Sequence, residues 1–304
     1  MYQKYFPVDI HENQSTRPLA QVSIQALLEQ ATLRDEGLEK ERDILEEVEN
    51  KVDQTPWIRW TRWAKMFVGR DMKVLVDGIQ EPKKDAFLEM VWTSALRVLK
   101  ERCMHSIKDC NERGWSKLLF WLASVDATKP QQGPFSETFD PVTLRDYSRI
   151  WAGLIMLCLR NLETPDIYQV PLDANAQAAL ERIQMVWQEG REKLEFDEDL
   201  LDDAVLDFSA ILGMHENWKS SIGTIEYYCG VIGYQQKTST WVTANDYTPK
   251  LAAIQWSMRI ILLEWVLPTK DRNDFCHNTG ETPLDKFRKV HGKWLVEGQA
   301  TAFD

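Results

Sequence analysis

Apolar residues recur along this chain mostly at three- and four-residue steps, the period of an amphipathic helix. The clearest case is 247–268, YTPKLAAIQWSMRIILLEWVLP. Thr248 predicts an N-cap, Pro249 suits a first turn, and Pro268 blocks continuation. The roughly 19 residues between would form a rod of about 28 Å. At about 100° per residue its apolar side chains fall into two bands. Leu251, Ile254, Met258, Ile261, Leu262 and Trp265 make one; Ala252, Ala253, Trp256, Ile260, Leu263 and Leu267 make the other. Thin polar seams separate them, Lys250/Ser257/Glu264 and Gln255/Arg259. A helix with two opposed apolar faces cannot lie on a surface, so other elements must cover both sides.

The same reading predicts helices over 15–53 (with Gly37 as a divider), 84–111, 115–125, 142–162, 172–195, 200–212 and 284–296. Asp140-Pro141 signals the start of the 142–162 helix, and Thr164-Pro165 follows its end. The segment 126–141, with three prolines and a glycine, is the clearest loop. It separates a first helical half, 55–125, from a second, 142–304, packed as one unit; an acidic helical segment, 1–54, precedes them. Between 220 and 243 two readings stand side by side. Gly223, Gly230 and Gly233 interrupt a β-favouring run that suits a small hairpin within 224–243, but apolar packing residues in a helical connection would look similar. The expected fold class is all-α, a multi-helix two-layer bundle built around 142–162 and 249–267.

Composition narrows the function classes. With 304 residues, 44% of them hydrophobic, the chain can bury one large core or two closely packed ones. Its net charge of −11 repels phosphate on average, so a nucleic-acid contact would need a local basic patch. No run of 18 apolar residues reads as a membrane span, and the first 14 residues hold no secretory signal. Five scattered cysteines look like reduced thiols rather than a disulfide framework. An intracellular location, cytoplasmic or nuclear, is therefore expected, with no membrane partner.

Charge is unevenly placed. Nine acids stand among 35–53, a solvated helix face with pairs such as Glu36 with Lys40; an acidic partner-binding arm is the alternative. The balance then reverses: over 55–73, five cations face one acid. There Trp57, Trp60 and Trp63 recur at three-residue steps, flanked by Arg59, Arg62, Lys65 and Arg70. This is the candidate contact surface for a protein or nucleic-acid partner, with guanidinium groups for phosphate and rings for stacking. Large aromatics at helical spacing more often belong to a core, with arginines lining its rim.

Motifs for specific chemistry are absent from the sequence. There is no G-x-x-x-x-G-K-[ST], no G-x-G-x-x-G, no H-E-x-x-H and no G-x-S-x-G, and no histidine has a glutamate three residues before it. Cys103, His105 and Cys110 are metal-ligand types, but on one helix His105 points away from the two cysteines; Cys276-His277 with His291 lacks a paired knuckle. The acidic run Glu195, Asp197, Glu198, Asp199, Asp202 and Asp203 is accounted for by the positive end of a helix macrodipole. No catalytic residue, metal ligand or cofactor is assigned.

Three blocks, TPWIRWTRWAKMFVGRDM (55–72), LRDYSRIWAGLIMLCLR (144–160) and 247–268, together resemble the fungal family of orsellinic acid biosynthesis cluster protein D. The resemblance implies an intracellular protein of a secondary-metabolite gene cluster or of mobile-element descent, and it carries no catalytic residue. Longer relatives add a zinc-finger-like N-terminus or a RecQ-type helicase region; this chain has neither set of motifs and reads as a short member. A link to tyrosine recombinases would need His-x-x-Arg, which does not occur. The leading expectation is a non-enzymatic regulatory or accessory protein acting through protein or nucleic-acid contacts. A degenerate DNA-acting protein is the first alternative and a small-molecule enzyme of polyketide tailoring the second.

Overall fold

In a computed structural model the described residues are 61–114, 138–193, 196–214, 223–267, 286 and 288–290. The acidic segment 1–54, the 115–125 helix and the 126–137 part of the loop lie outside them. Among the described residues there are ten α-helices, one π-helical turn and one two-stranded antiparallel hairpin. In order these are α1 (Trp63–Met66), α2 (Met72–Gly78), α3 (Ala86–Arg97), the π turn (Val98–Cys103), α4 (Met104–Glu112), α5 (Pro141–Glu163), α6 (Pro165–Tyr168) and α7 (Ala174–Lys193). Then follow α8 (Glu198–Gly213), α9 (Thr224–Gly233), β1 (Tyr234–Gln235), β2 (Thr240–Trp241) and α10 (Ala244–Val266). The chain is all-α, as its periodicity implies.

Helix starts are set by short polar side chains. Asp85, Asp140 and Asp197 each accept a hydrogen bond from the backbone N–H three residues on, at Leu88, Thr143 and Leu200. These satisfy donors that the first helical turn leaves unpaired. The central helix α10 begins earlier than Thr248 and Pro249 suggest. Thr243 is its cap, accepting from Asp246 N–H at 3.4 Å, and Pro249 lies inside the helix. Thr248 donates its hydroxyl to Ala244 O at 2.7 Å instead of capping.

Helix α10 is covered on both faces. Ala253, Ile254, Met258, Ile260, Ile261 and Leu262 are each fully buried, and Leu263 nearly so; Trp256 and Trp265 are half-buried, and Ala252 alone of the two bands is exposed. Helix α5 lies beside it, and the α3–π–α4 segment packs against both. Helix α8 rests on α10 and α3, with α7 outside it. The sequence around 225–233 is β-favouring, yet it forms α9, buried along almost its whole length. Only the four paired residues Tyr234↔Trp241 and Gln235↔Thr240 make the hairpin.

Of the polar seams, Ser257, Arg259 and Glu264 are buried while Lys250 and Gln255 are half-buried, and buried carboxylates here are paired across helices. Ser94 and Arg97 of α3 bind Asp202 of α8: Ser94 Oγ donates at 2.5 Å, Arg97 Nε at 2.7 Å and Nη2 at 2.9 Å. Arg97 also reaches Glu198. Five residues on, Arg102 donates to Asp203 at 2.8 Å and to Glu264 of α10 at 3.2 Å, and Ser106 completes the Glu264 site. In a regular α-helix, residues five apart point about 140° away from each other. The wider π turn between them brings Arg97 and Arg102 round toward the same acidic helix. The acid-rich start of α8 is thus more than a macrodipole effect: Asp202 and Asp203 are cross-helix anchors. Burial pushes the Glu264 and Asp203 carboxyls up, against the pull of Arg102.

Candidate functional site

The Trp/Arg stretch divides into an inward and an outward part. Trp57, Arg59 and Trp60 lie outside the described residues. Trp63 is 4% exposed, set edge-on to Tyr247 of α10 with ring centroids 4.9 Å apart. Phe67 packs beside Tyr227 and Trp241. Both rings press on the bare backbone of α9: a Cβ at Gly230 would stand 2.3 Å from Phe67 Cε2 and 3.0 Å from Trp63 Cδ1. Arg70 is also turned inward. Its Nε donates to Met66 O at 3.1 Å and its Nη1 to Tyr227 Oη at 3.3 Å, with the guanidinium over the Tyr227 ring. Tyr227 in turn donates to Tyr168 O at 2.6 Å.

Arg62 and Lys65, by contrast, are exposed, as is Lys73 on α2. Arg62 has a left-handed backbone, φ 57°, and Gly69 has φ 72°, so the chain turns sharply at both ends of this short corner. Val68 beside it is 62% exposed. Of the four described candidates, then, Trp63 and Arg70 hold the corner onto the core, while Arg62 and Lys65 present charge outward. Lys73 joins them, a residue counted in the local charge but not singled out from the sequence.

A second feature was not legible in the sequence. A cleft of about 340 Å³ opens between the end of α2, α3, α5, α9, β1 and α10. Its walls include Ile79, Trp92, Ile150, Tyr228, Val231 and Ile232, and its polar groups include Gln80, Glu81, Arg149 and Lys250. Helix α5 comes close because residue 153 is glycine: a Cβ there would meet Tyr228 Oη at 2.8 Å and Ile79 O at 2.9 Å. Tyr228 Oη donates to Ile150 O and so fixes one wall. Lys250 Nζ donates to Ile232 O at 2.6 Å, and burial lowers its pKa from the usual lysine value, with Asp246 one turn earlier opposing that shift. Arg149 and Glu81 pair at 3.1 Å on the rim, both about half exposed. The Trp92 indole N–H is buried with no acceptor among the described residues. The lining comes from six elements and shares no motif.

Among the described residues, the metal-type side chains singled out from the sequence do not converge. Cys103 and Cys110 are buried, and burial pushes the Cys110 thiol up to about 11 and the Cys103 thiol higher than usual as well. His105 is two-thirds exposed and lies 3.8 Å from Asp109. Asp197 is a helix cap, and Glu198, Asp202 and Asp203 face arginines. Among the described residues no group of three or more His, Cys, Asp or Glu is arranged to hold a metal ion. Cys276, His277 and His291 lie outside them. No helix among the described residues is long and apolar enough to cross a membrane. Comparison with protein-family models, with curated proteins and with solved structures finds no match for this chain.

Proposed function

We propose that this chain is a non-enzymatic accessory protein that works by contact, using the basic corner around Arg62, Lys65 and Lys73 to hold an anionic partner. The observation that carries the reading is the pairing of exposed cations with a buried anchor. On a chain of net charge −11, three cations stand outward from a corner whose Trp63 and Phe67 are fixed in the core. A rigidly mounted charge loses little freedom when it meets a partner. Trp63 and Phe67 are committed to packing, so among the described residues of this corner neither ring is open for stacking. That favours an acidic protein segment over single-stranded nucleic acid, which draws much of its affinity from stacking. The three-block resemblance supports a setting in a fungal metabolite cluster, and the DNA-acting reading remains the alternative.

Fluorescence anisotropy of the full chain tests this, with a labelled Glu-rich peptide and a labelled DNA duplex at about 50 mM salt. The peptide should bind, weaken as salt rises, and lose about 10-fold in affinity for R62E/K65E/K73E, the effect of three rim charges at about 0.5 kcal/mol each. Binding unaffected by the triple substitution would remove the corner from the account. A duplex held more tightly than the peptide would favour the DNA-acting alternative.

A further inference from the structure

Lys250 stands where an ammonium group is poorly provided for. Its Nζ meets one backbone carbonyl, Ile232 O, which leaves two of its three N–H donors for something else. The wall around it is largely apolar, and the cleft's other cation, Arg149, is already paired with Glu81 at the rim. Trp92, 5% exposed, lines the same cleft, so its ring reports on anything bound there. Set in a largely apolar wall, an ammonium with unfilled donors is the recognition group of the cleft.

Charge and size then select the occupant. An apolar or cationic molecule closing over Lys250 would strip water from the ammonium and give nothing back. A multiply charged anion would meet Glu81 at the rim and the acidic surface of the chain. A cleft of about 340 Å³ is at the small end of ligand pockets, which run from about 300 to 1,000 Å³. We propose that the cleft binds a compact, largely apolar molecule carrying one carboxylate, which pairs with Lys250 while its apolar body lies against Ile79, Ile150, Val231 and Trp92. The site is separate from the basic corner and stands independently of the contact reading above.

The test uses the full chain with benzoate and its neutral isostere benzamide as probes. Indole N–H resonances are followed by NMR, the Trp92 signal being identified as the one lost in W92F among the 13 tryptophans. Benzoate should shift that resonance saturably and bind about 10-fold more tightly than benzamide, the worth of one charge-assisted hydrogen bond. In K250M, benzoate should fall to the affinity of benzamide. Should either variant fold poorly, calorimetry of the two probes on the unaltered chain reads the same preference. Equal affinity for acid and amide, or no saturable binding of benzoate at about 10 mM, would overturn the proposal.

Discussion

Arg97→Ala is expected to destabilise the fold by about 3 kcal/mol or slightly more, read as a lower urea midpoint at unchanged slope. Asp202 is 1% exposed, and in the native protein two guanidinium nitrogens and the Ser94 hydroxyl meet its carboxylate. Removing the arginine leaves one neutral donor facing a desolvated charge. The loss belongs to the low end of the range for broken buried pairs, because the Arg97 side chain is itself 22% exposed and water can enter behind it. The contact with Glu198 adds little, since that carboxylate is 59% exposed. The same argument sets the sign for a replacement of the whole group. S94A/R97M/D202L removes donor and acceptor together and should stay within about 1 kcal/mol of the native protein, or exceed it. A triple variant as unstable as Arg97→Ala would show that the arginine acts through its packing, not its charge.

Trp151→Ala should cost about 3–5 kcal/mol. Trp151 is 1% exposed on α5, and its indole N–H donates to Ser209 Oγ on α8 at 3.0 Å. Truncation removes a large apolar surface, opens a cavity between two central helices, and orphans a buried hydroxyl. Trp151→Phe separates these effects. It keeps most of the packing and loses the hydrogen bond, so about 1–2 kcal/mol is expected. If alanine and phenylalanine were equally damaging, the hydrogen bond and not the packed volume would be what couples α5 to α8.

The parts of this fold legible in the sequence are those governed by local pattern. The extent of α5 follows from Asp140-Pro141 at one end and Thr164-Pro165 at the other, because caps and prolines act on their immediate neighbours. The two-sided burial of α10 follows from its two apolar bands. The start of α10 does not, since Thr243 and Thr248 are both plausible caps and only the hydrogen bond to Asp246 decides between them. Helix α9 overrides its β-favouring residues because nearly all of them are buried, and packing outweighs propensity there. The paired charges were opaque for another reason. Arg97 meets Asp202 across 105 residues and Arg102 meets Glu264 across 162, through a π turn that no periodicity announces. The contact surface was half legible: exposure follows from charge at Arg62 and Lys65, but nothing in the order Trp-x-x-Trp-x-x-Trp says that Trp63 faces Tyr247 or that Arg70 turns inward. The cleft, assembled from six elements, leaves no trace in any one of them.

Hydrogen exchange along α10 tests the account most directly. The amides of 253–264 sit in a helix covered from both sides, so they should exchange only when the whole helical stack opens. Their exchange free energy should then equal the unfolding free energy found with urea. Exchange at 253–264 as fast as at the exposed turns of α7, at a free energy well below the global value, would mean that one face of α10 meets water and that it is not the spine of the fold.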